Sequence, residues 1–201
     1  MKKVFKIALL VIFALAANGM FTDTHAQKSK EDIRQMLDKR NEEIKELLGP
    51  KGKDYSAEQR EQLKDIINDV IDYKAMAKFA LQDTWNTLDE QEREDFVELF
   101  SKIVRDHSLT NLDIYRAKVT YESIQVEGDN AVVVTMATLD RVRTPVTYDL
   151  FFKDDLGKWV VTDLIIDNVS TAKSYKRQFQ DIIRDKGYDY LLKTLRDRAK
   201  R

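Results

Sequence analysis

A chain of 201 residues with 43% hydrophobic and 34% charged side chains suits one soluble domain with a substantial core, rather than a disordered or membrane-embedded protein. It contains no Cys, which excludes disulfides, thiol nucleophiles and thiolate metal sites. The formal net charge of −1 calls for no nucleic-acid partner.

The N-terminus reads as a leader. Lys2, Lys3 and Lys6 precede an apolar run over 7–17, and Thr24-His25-Ala26 ends in a small residue suited to cleavage. That run is short for a membrane span of ~20 residues. The expectation is a Sec signal peptide over 1–26 and one mature domain over 27–201, outside the cytoplasm. A retained membrane anchor is the alternative.

The first mature helix is predicted over 31–48, where Ile33, Met36, Leu37, Ile44, Leu47 and Leu48 share a stripe and Gly49-Pro50 ends the run. Ser56 and Gln59 form a capping box for a second helix bearing Leu63, Ile66, Ile67, Val70 and Ile71. A short helix over 73–81 follows, containing Met76 and Phe79. Thr87 and Glu90 are spaced as another capping box, ahead of a helix with Phe96, Leu99, Phe100, Ile103 and Val104. Tyr115 closes the helical half.

From about Ala117 the period becomes two. Val119, Tyr121, Ser123 and Gln125 are set against Thr120, Ile124 and Val126, and Gly128-Asp129-Asn130 reads as a hairpin turn. A β-branched strand over 131–139 and a turn over 141–144 come next; Pro145 is tolerable only at a strand start or edge. Val146, Tyr148, Leu150 and Phe152 then alternate with Thr147, Asp149, Phe151 and Lys153, as on a strand with one buried face. A turn over 154–157 returns the chain as a strand over 158–166. With Asp154 opposite Gly157, Phe152 falls opposite Trp159, Leu150 opposite Val161 and Tyr148 opposite Asp163; a bulge would flip one strand's faces. Asn168-Val169-Ser170 matches a glycosylation pattern and is read as a turn. Helices over 175–186 and 188–198, separated by Gly187, complete an α+β order.

Catalytic candidates are few. His107 is the one histidine outside the leader, in the charged context Arg105-Asp106-His107-Ser108, and nothing at motif spacing supplies it with triad or metal partners. The six Gly are scattered as turn punctuation rather than gathered in a phosphate loop. Asp163 interrupts an apolar strand. It is either a general base in a cavity, making the protein a small enzyme, or a buried acceptor for Tyr148 or a backbone amide. Aromatic, Met and aliphatic positions on the predicted strands and helices read, residue by residue, as an ordinary packed core, which would suit a plain interaction module.

One stretch adds a resemblance. Tyr148-Asp149-Leu150, Gly157, Trp159, Val161, Asp163, Val169-Ser170, Tyr175, Gln178 and Phe179 resemble, in order, the signature of the MlaC-type phospholipid-binding proteins, the toluene-tolerance family. The run from Asp72-Tyr73 through Met76-Ala77-Lys78-Phe79-Ala80-Leu81 to Trp85 is similar to the same family, and the likeness extends upstream to about residue 30. Thr162 stands where that family more often has Tyr. The resemblance implies a curved four-stranded antiparallel sheet wrapped by helices, nuclear-transport-factor-like, with an apolar cavity between sheet and helices. It implies a lipid-binding lining of Met76, Phe79, Phe96, Phe100, Val146, Tyr148, Leu150, Phe152, Trp159, Val161, Tyr175 and Phe179, with no cofactor, metal or catalytic residue. The implied role is a periplasmic phospholipid carrier, a non-enzyme that maintains outer-membrane lipid asymmetry. Its implied partners are an inner-membrane lipid ABC transporter with a ring-forming lipid-binding subunit and an outer-membrane lipoprotein complex. Some relatives of this kind are linked to other lipids such as hopanoids.

Overall fold

A computed structural model describes residues 28–52, 54–110 and 112–200; the leader expected over 1–26 lies outside them. Helix α1 (Lys30–Leu48) begins at a capping box between Ser29 and Asp32 and stops at Gly49, whose φ of 54° suits a residue without Cβ. Helix α2 (Ala57–Asn68) is capped by Ser56 and Gln59 as the spacing predicts. After α3 (Tyr73–Leu81) and the short α4 (Asp83–Thr87) comes α5 (Glu90–Ser108). Its cap is not the Thr87–Glu90 pair. Asp89 accepts from the Glu92 amide at 2.9 Å, and Glu92 accepts from the Asp89 amide at 2.8 Å. Thr87 instead closes α4 by donating to the Thr84 carbonyl. Asp caps as well as Thr does, so the spacing alone allowed two registers.

A 3-10 turn (Leu112–Arg116) leads into strands β1 (Lys118–Glu127), β2 (Asn130–Leu139), β3 (Val142–Lys153), β4 (Lys158–Ile166) and β5 (Val169–Ser170), followed by α6 (Thr171–Lys186) and α7 (Tyr188–Ala199). The sheet is antiparallel throughout, in the order β1-β2-β3-β4-β5. It therefore has five strands rather than four. The fifth is a two-residue edge, made possible by Asp167 and Asn168 turning with φ of 48° and 63°.

Strand β3 begins at Val142, three residues before Pro145, although Pro145 was expected only at a start or edge. The Pro145 carbonyl accepts from the Asp167 amide at 3.0 Å. In an antiparallel ladder a residue's nitrogen points to the same side as its carbonyl, so the missing N–H removes nothing from the β2–β3 pairing. Phe152 pairs with Trp159 and Leu150 with Val161 as predicted, but a bulge then shifts the register. Asp163 lies opposite Asp149, and Tyr148 opposite Leu164. The extra residue is Thr162, whose hydroxyl donates to the Asp149 carbonyl at 3.2 Å. A second bulge between Tyr121 and Ser123 moves Ile124 and Val126, not Ser123 and Gln125, onto the face that Tyr121 occupies.

Three apolar clusters hold these elements together. Ile33 of α1 packs with Ala131, Val133, Leu150, Phe152, Trp159 and Val161 on one face of the sheet, here called the inner face. Helices α3, α5, α6 and α7 build a second cluster around Phe96, Phe100 and Phe179. Ile44 and Leu48 of α1, Leu63 of α2 and Leu112 form the third.

The two ends of α1 are fastened differently. At its C-terminal end Arg116 donates to the carbonyls of Gly49, Leu48 and Pro50, and to the Tyr55 hydroxyl at 2.6 Å. At its N-terminal end Lys28 reaches Asp129 at 2.6 Å and Asp154 at 2.8 Å, both in exposed hairpin turns.

Candidate functional site

Cross-strand pairing, rather than sequence proximity, assembles the inner face. Val126 and Leu150 both pair with Ala131, Ile124 and Tyr148 with Val133, and Leu150 and Phe152 with Val161 and Trp159. Phe152 and Trp159 meet edge to face, with centroids 5.3 Å apart and planes at 75°. Met36, Leu37, Val70, Ile71, Tyr121 and Tyr148 pack around this cluster. Leu150, Phe152, Trp159 and Val161 are each 2–4% exposed, so α1 and the sheet are closed on one another at these positions.

The twelve residues expected to form one lining are divided. Tyr148, Leu150, Phe152, Trp159 and Val161 lie on the sheet with α1. Met76, Phe96, Phe100, Tyr175 and Phe179 belong to the helical cluster, where Phe96 meets Phe179 at 5.9 Å and Phe100 meets Tyr175 at 4.9 Å. Val146 is half-buried and pairs with Thr135. Phe79 is 41% exposed beneath the Lys176 ammonium, 5.0 Å from its ring centroid. Two open surface concavities, of about 270 and 400 Å³, include none of the twelve. Arg40, Asp65, Ile66, Asp69 and Arg105 line the first, and residues of α7 the second.

Tyrosines supply most of the polarity near the inner face. Tyr121 donates to Asp38 of α1 at 2.8 Å, beneath the Arg34 guanidinium, 4.6 Å from its ring centroid. Burial, then the Asp38 hydrogen bond, pushes its phenol pKa up. Tyr115 donates to the Ser108 carbonyl at 3.2 Å, and burial pushes its phenol up to about 12, with the Tyr148 phenol adding to the shift. Burial raises the Tyr148 phenol pKa, while the residue as a whole keeps some accessible surface. Tyr115 was read in the sequence only as the end of the helical half. Ile33 was not placed at the site, because a helical stripe says that a residue is buried and not against what.

Asp163 has a structural task. Its carboxylate accepts from Ala172 N at 2.9 Å and from Ser170 Oγ at 2.5 Å, tying β4 to the start of α6. The expected backbone-amide partner is found; Tyr148 is not a partner, since the bulge turns it to the opposite face. His107 is exposed in the last turn of α5, its carbonyl accepting from the Thr110 hydroxyl.

These features define an α+β domain whose antiparallel sheet turns an apolar, aromatic face toward one helix. No helix among the described residues is long and apolar enough to cross a membrane. The family described as MlaC protein matches residues 34–197, and the chain belongs to that family. Among solved structures the chain is similar to a phospholipid-binding protein from Ralstonia solanacearum, determined in complex with a phospholipid. The TM-score is 0.70 at 19% identity, covering 87% of this chain and 98% of that one. No curated protein matches the chain in sequence.

Proposed function

We propose that this protein is a periplasmic phospholipid carrier, exported by a leader over 1–26, that encloses acyl chains between the inner face of its sheet and α1. The carrying observation is the inner face itself, a continuous apolar surface of Val133, Leu150, Phe152, Trp159 and Val161 covered by α1 and by Val70 and Ile71 of the α2–α3 connection. Family membership and the phospholipid-bound structural neighbour support the same reading. At about 0.8 kcal/mol per CH₂, two acyl chains exposed to water would cost roughly 20 kcal/mol or more, so a carrier must hide them almost completely. Apart from the Tyr121–Asp38 hydrogen bond, the closed contact of α1 on the sheet is apolar and non-directional, so chain methylenes can replace it at small net cost. Loading then means separating α1 from the sheet. Asp163 has both oxygens engaged on the opposite face, which favours a carrier over an enzyme using it as a base.

The carrier takes lipid from one membrane complex and gives it to another; an inner-membrane lipid ABC transporter with a ring-forming subunit and an outer-membrane lipoprotein complex are the partners of this reading. The test is extraction of the exported, natively purified protein with organic solvent, followed by mass spectrometry. Stoichiometric phospholipid is expected. Protein that releases none, and takes none from vesicles, overturns the reading.

A further inference from the structure

Among the described residues, three buried side-chain polar atoms have no hydrogen-bond partner: Arg105 Nε, Tyr188 OH and Trp159 Nε1. Of these, only Trp159 lies on the inner face, where it is 3% exposed among Ile33, Phe152 and Val161. An indole nitrogen can only donate, so no rearrangement of its own proton relieves it. Tyr148 on the same face keeps accessible surface that water can serve; Trp159 does not. An unmet donor at the hairpin end of this buried apolar face indicates an acceptor that arrives with the ligand.

A phospholipid carries its acceptors at one end only, in the ester carbonyls and the phosphate. A second observation concerns the same end of the molecule. The Lys28 ammonium lies 4.8 Å from the centroid of the Phe152 ring, which itself touches Trp159. Lys28 also fastens the N-terminal end of α1 through ion pairs in exposed turns, a weaker hold than the Arg116 bonds at the other end.

We infer, on the carrier reading above, that the Trp159 indole N–H donates a hydrogen bond to a carbonyl or phosphate oxygen of the bound lipid. The glycerol end of the lipid is thereby fixed at the β3–β4 hairpin, beneath Lys28. The acyl chains run from there along the inner face toward Tyr148. A donor that is orphaned when empty and satisfied when loaded is worth from about fivefold to about a hundredfold in retention.

The test compares the exported protein with Trp159→Phe, which keeps an aromatic ring against Phe152 and removes the N–H. Both are delipidated and offered a diester phosphatidylglycerol, its diether counterpart with the same chains, and hexadecane; each retained probe is quantified by mass. The variant should retain at least about fivefold less diester lipid while hexadecane retention stays unchanged. An unaffected diether identifies the ester carbonyl as the acceptor, and an equal loss of diether identifies the phosphate. An equal loss of all three probes assigns Trp159 to packing and overturns the inference. So does a variant that retains diester lipid as well as wild type. Wild-type protein that takes up neither phospholipid removes the carrier reading, and this inference with it.

Discussion

Asp149 and Asp163 stand directly opposite one another across the β3–β4 ladder, two carboxylates in register. Asp163 is held by Ser170 and Ala172, while Asp149 is raised above the usual carboxylate range by burial and by the Asp163 charge, with Lys173 opposing the shift. Because the folded value lies above the unfolded one, the native chain holds this proton more tightly. The group's contribution to stability therefore improves as pH falls from neutral through the folded value, and is complete below the unfolded value. Asp149→Asn should melt higher than wild type at pH 7, and the advantage should close by about pH 4, near the ordinary Asp value. Melting curves at both pH values check this; no gain at neutral pH would show that the pair carries no net repulsion.

At the alkaline end, burial raises the Tyr115 and Tyr188 phenols to about 12 and pushes Tyr73, Tyr121 and Tyr148 upward too. The stability that these neutral phenols contribute is fully present below the unfolded value of about 10 and is lost as pH climbs through the folded values. Absorbance titration should show phenolate formation delayed in the native protein and then coinciding with loss of the circular dichroism signal. Ionisation of all the tyrosines near pH 10 in folded protein would contradict the enclosure described here.

Val161 is 3% exposed opposite Leu150, with α1 closed over the cluster. In lipid-free protein Val161→Trp should overpack this contact by about 1–3 kcal/mol. For a domain of this size that lowers Tm by roughly 2–4 °C per kcal/mol. The same ring occupies space that acyl chains need, so bound lipid should fall sharply. The comparison requires delipidated samples, since ligand bound to the native state raises apparent stability by itself. A variant that melts lower yet keeps its lipid would place the cargo elsewhere.

The unequal ends of α1 predict unequal mutants. Lys28→Ala severs exposed ion pairs and should leave Tm almost unchanged while speeding exchange of a fluorescent phospholipid with vesicles. Arg116→Ala removes the donor shared by three carbonyls and should lower Tm clearly. Equal exchange rates in wild type and Lys28→Ala would rule out that end of the helix as the exit.

Export predicts a mature chain beginning at Gln27, after Ala26. Intact mass of the exported protein measures this directly, and a mass that includes residues 1–26 would restore the membrane-anchor alternative.

Element order, most helix limits and the central register were legible because caps, Gly turns and period-two runs are local signals. Ser56 with Gln59, Gly128 and the Phe152–Trp159 pair all fell where the residues put them. The bulges were not legible. Thr162 is extruded from β4, and beyond it Asp163 reaches the start of α6. That demand comes from an element outside the strand. In β1 the same kind of shift exchanged Ser123 and Gln125 for Ile124 and Val126 on the inner face. The candidate site was half legible for a related reason. Periodicity marks Leu150 and Phe100 alike as buried, but only the tertiary arrangement sends one to the sheet and the other to the helical cluster.

The Arg116 anchorage turns α1 into a lever. A helix of 19 residues is about 28 Å long. Pivoting by roughly 10° about the fastened end raises the far end by about 5 Å over that length. That displacement comes from side-chain packing, surface ion pairs and the Tyr121–Asp38 hydrogen bond, and no rung of the sheet has to break. The backbone bonds that join Val161 to Val70 and Asp72 keep the start of α3 on the sheet side of the pivot. Access to the inner face can thus be governed by small torques on one helix, applied near its N-terminus.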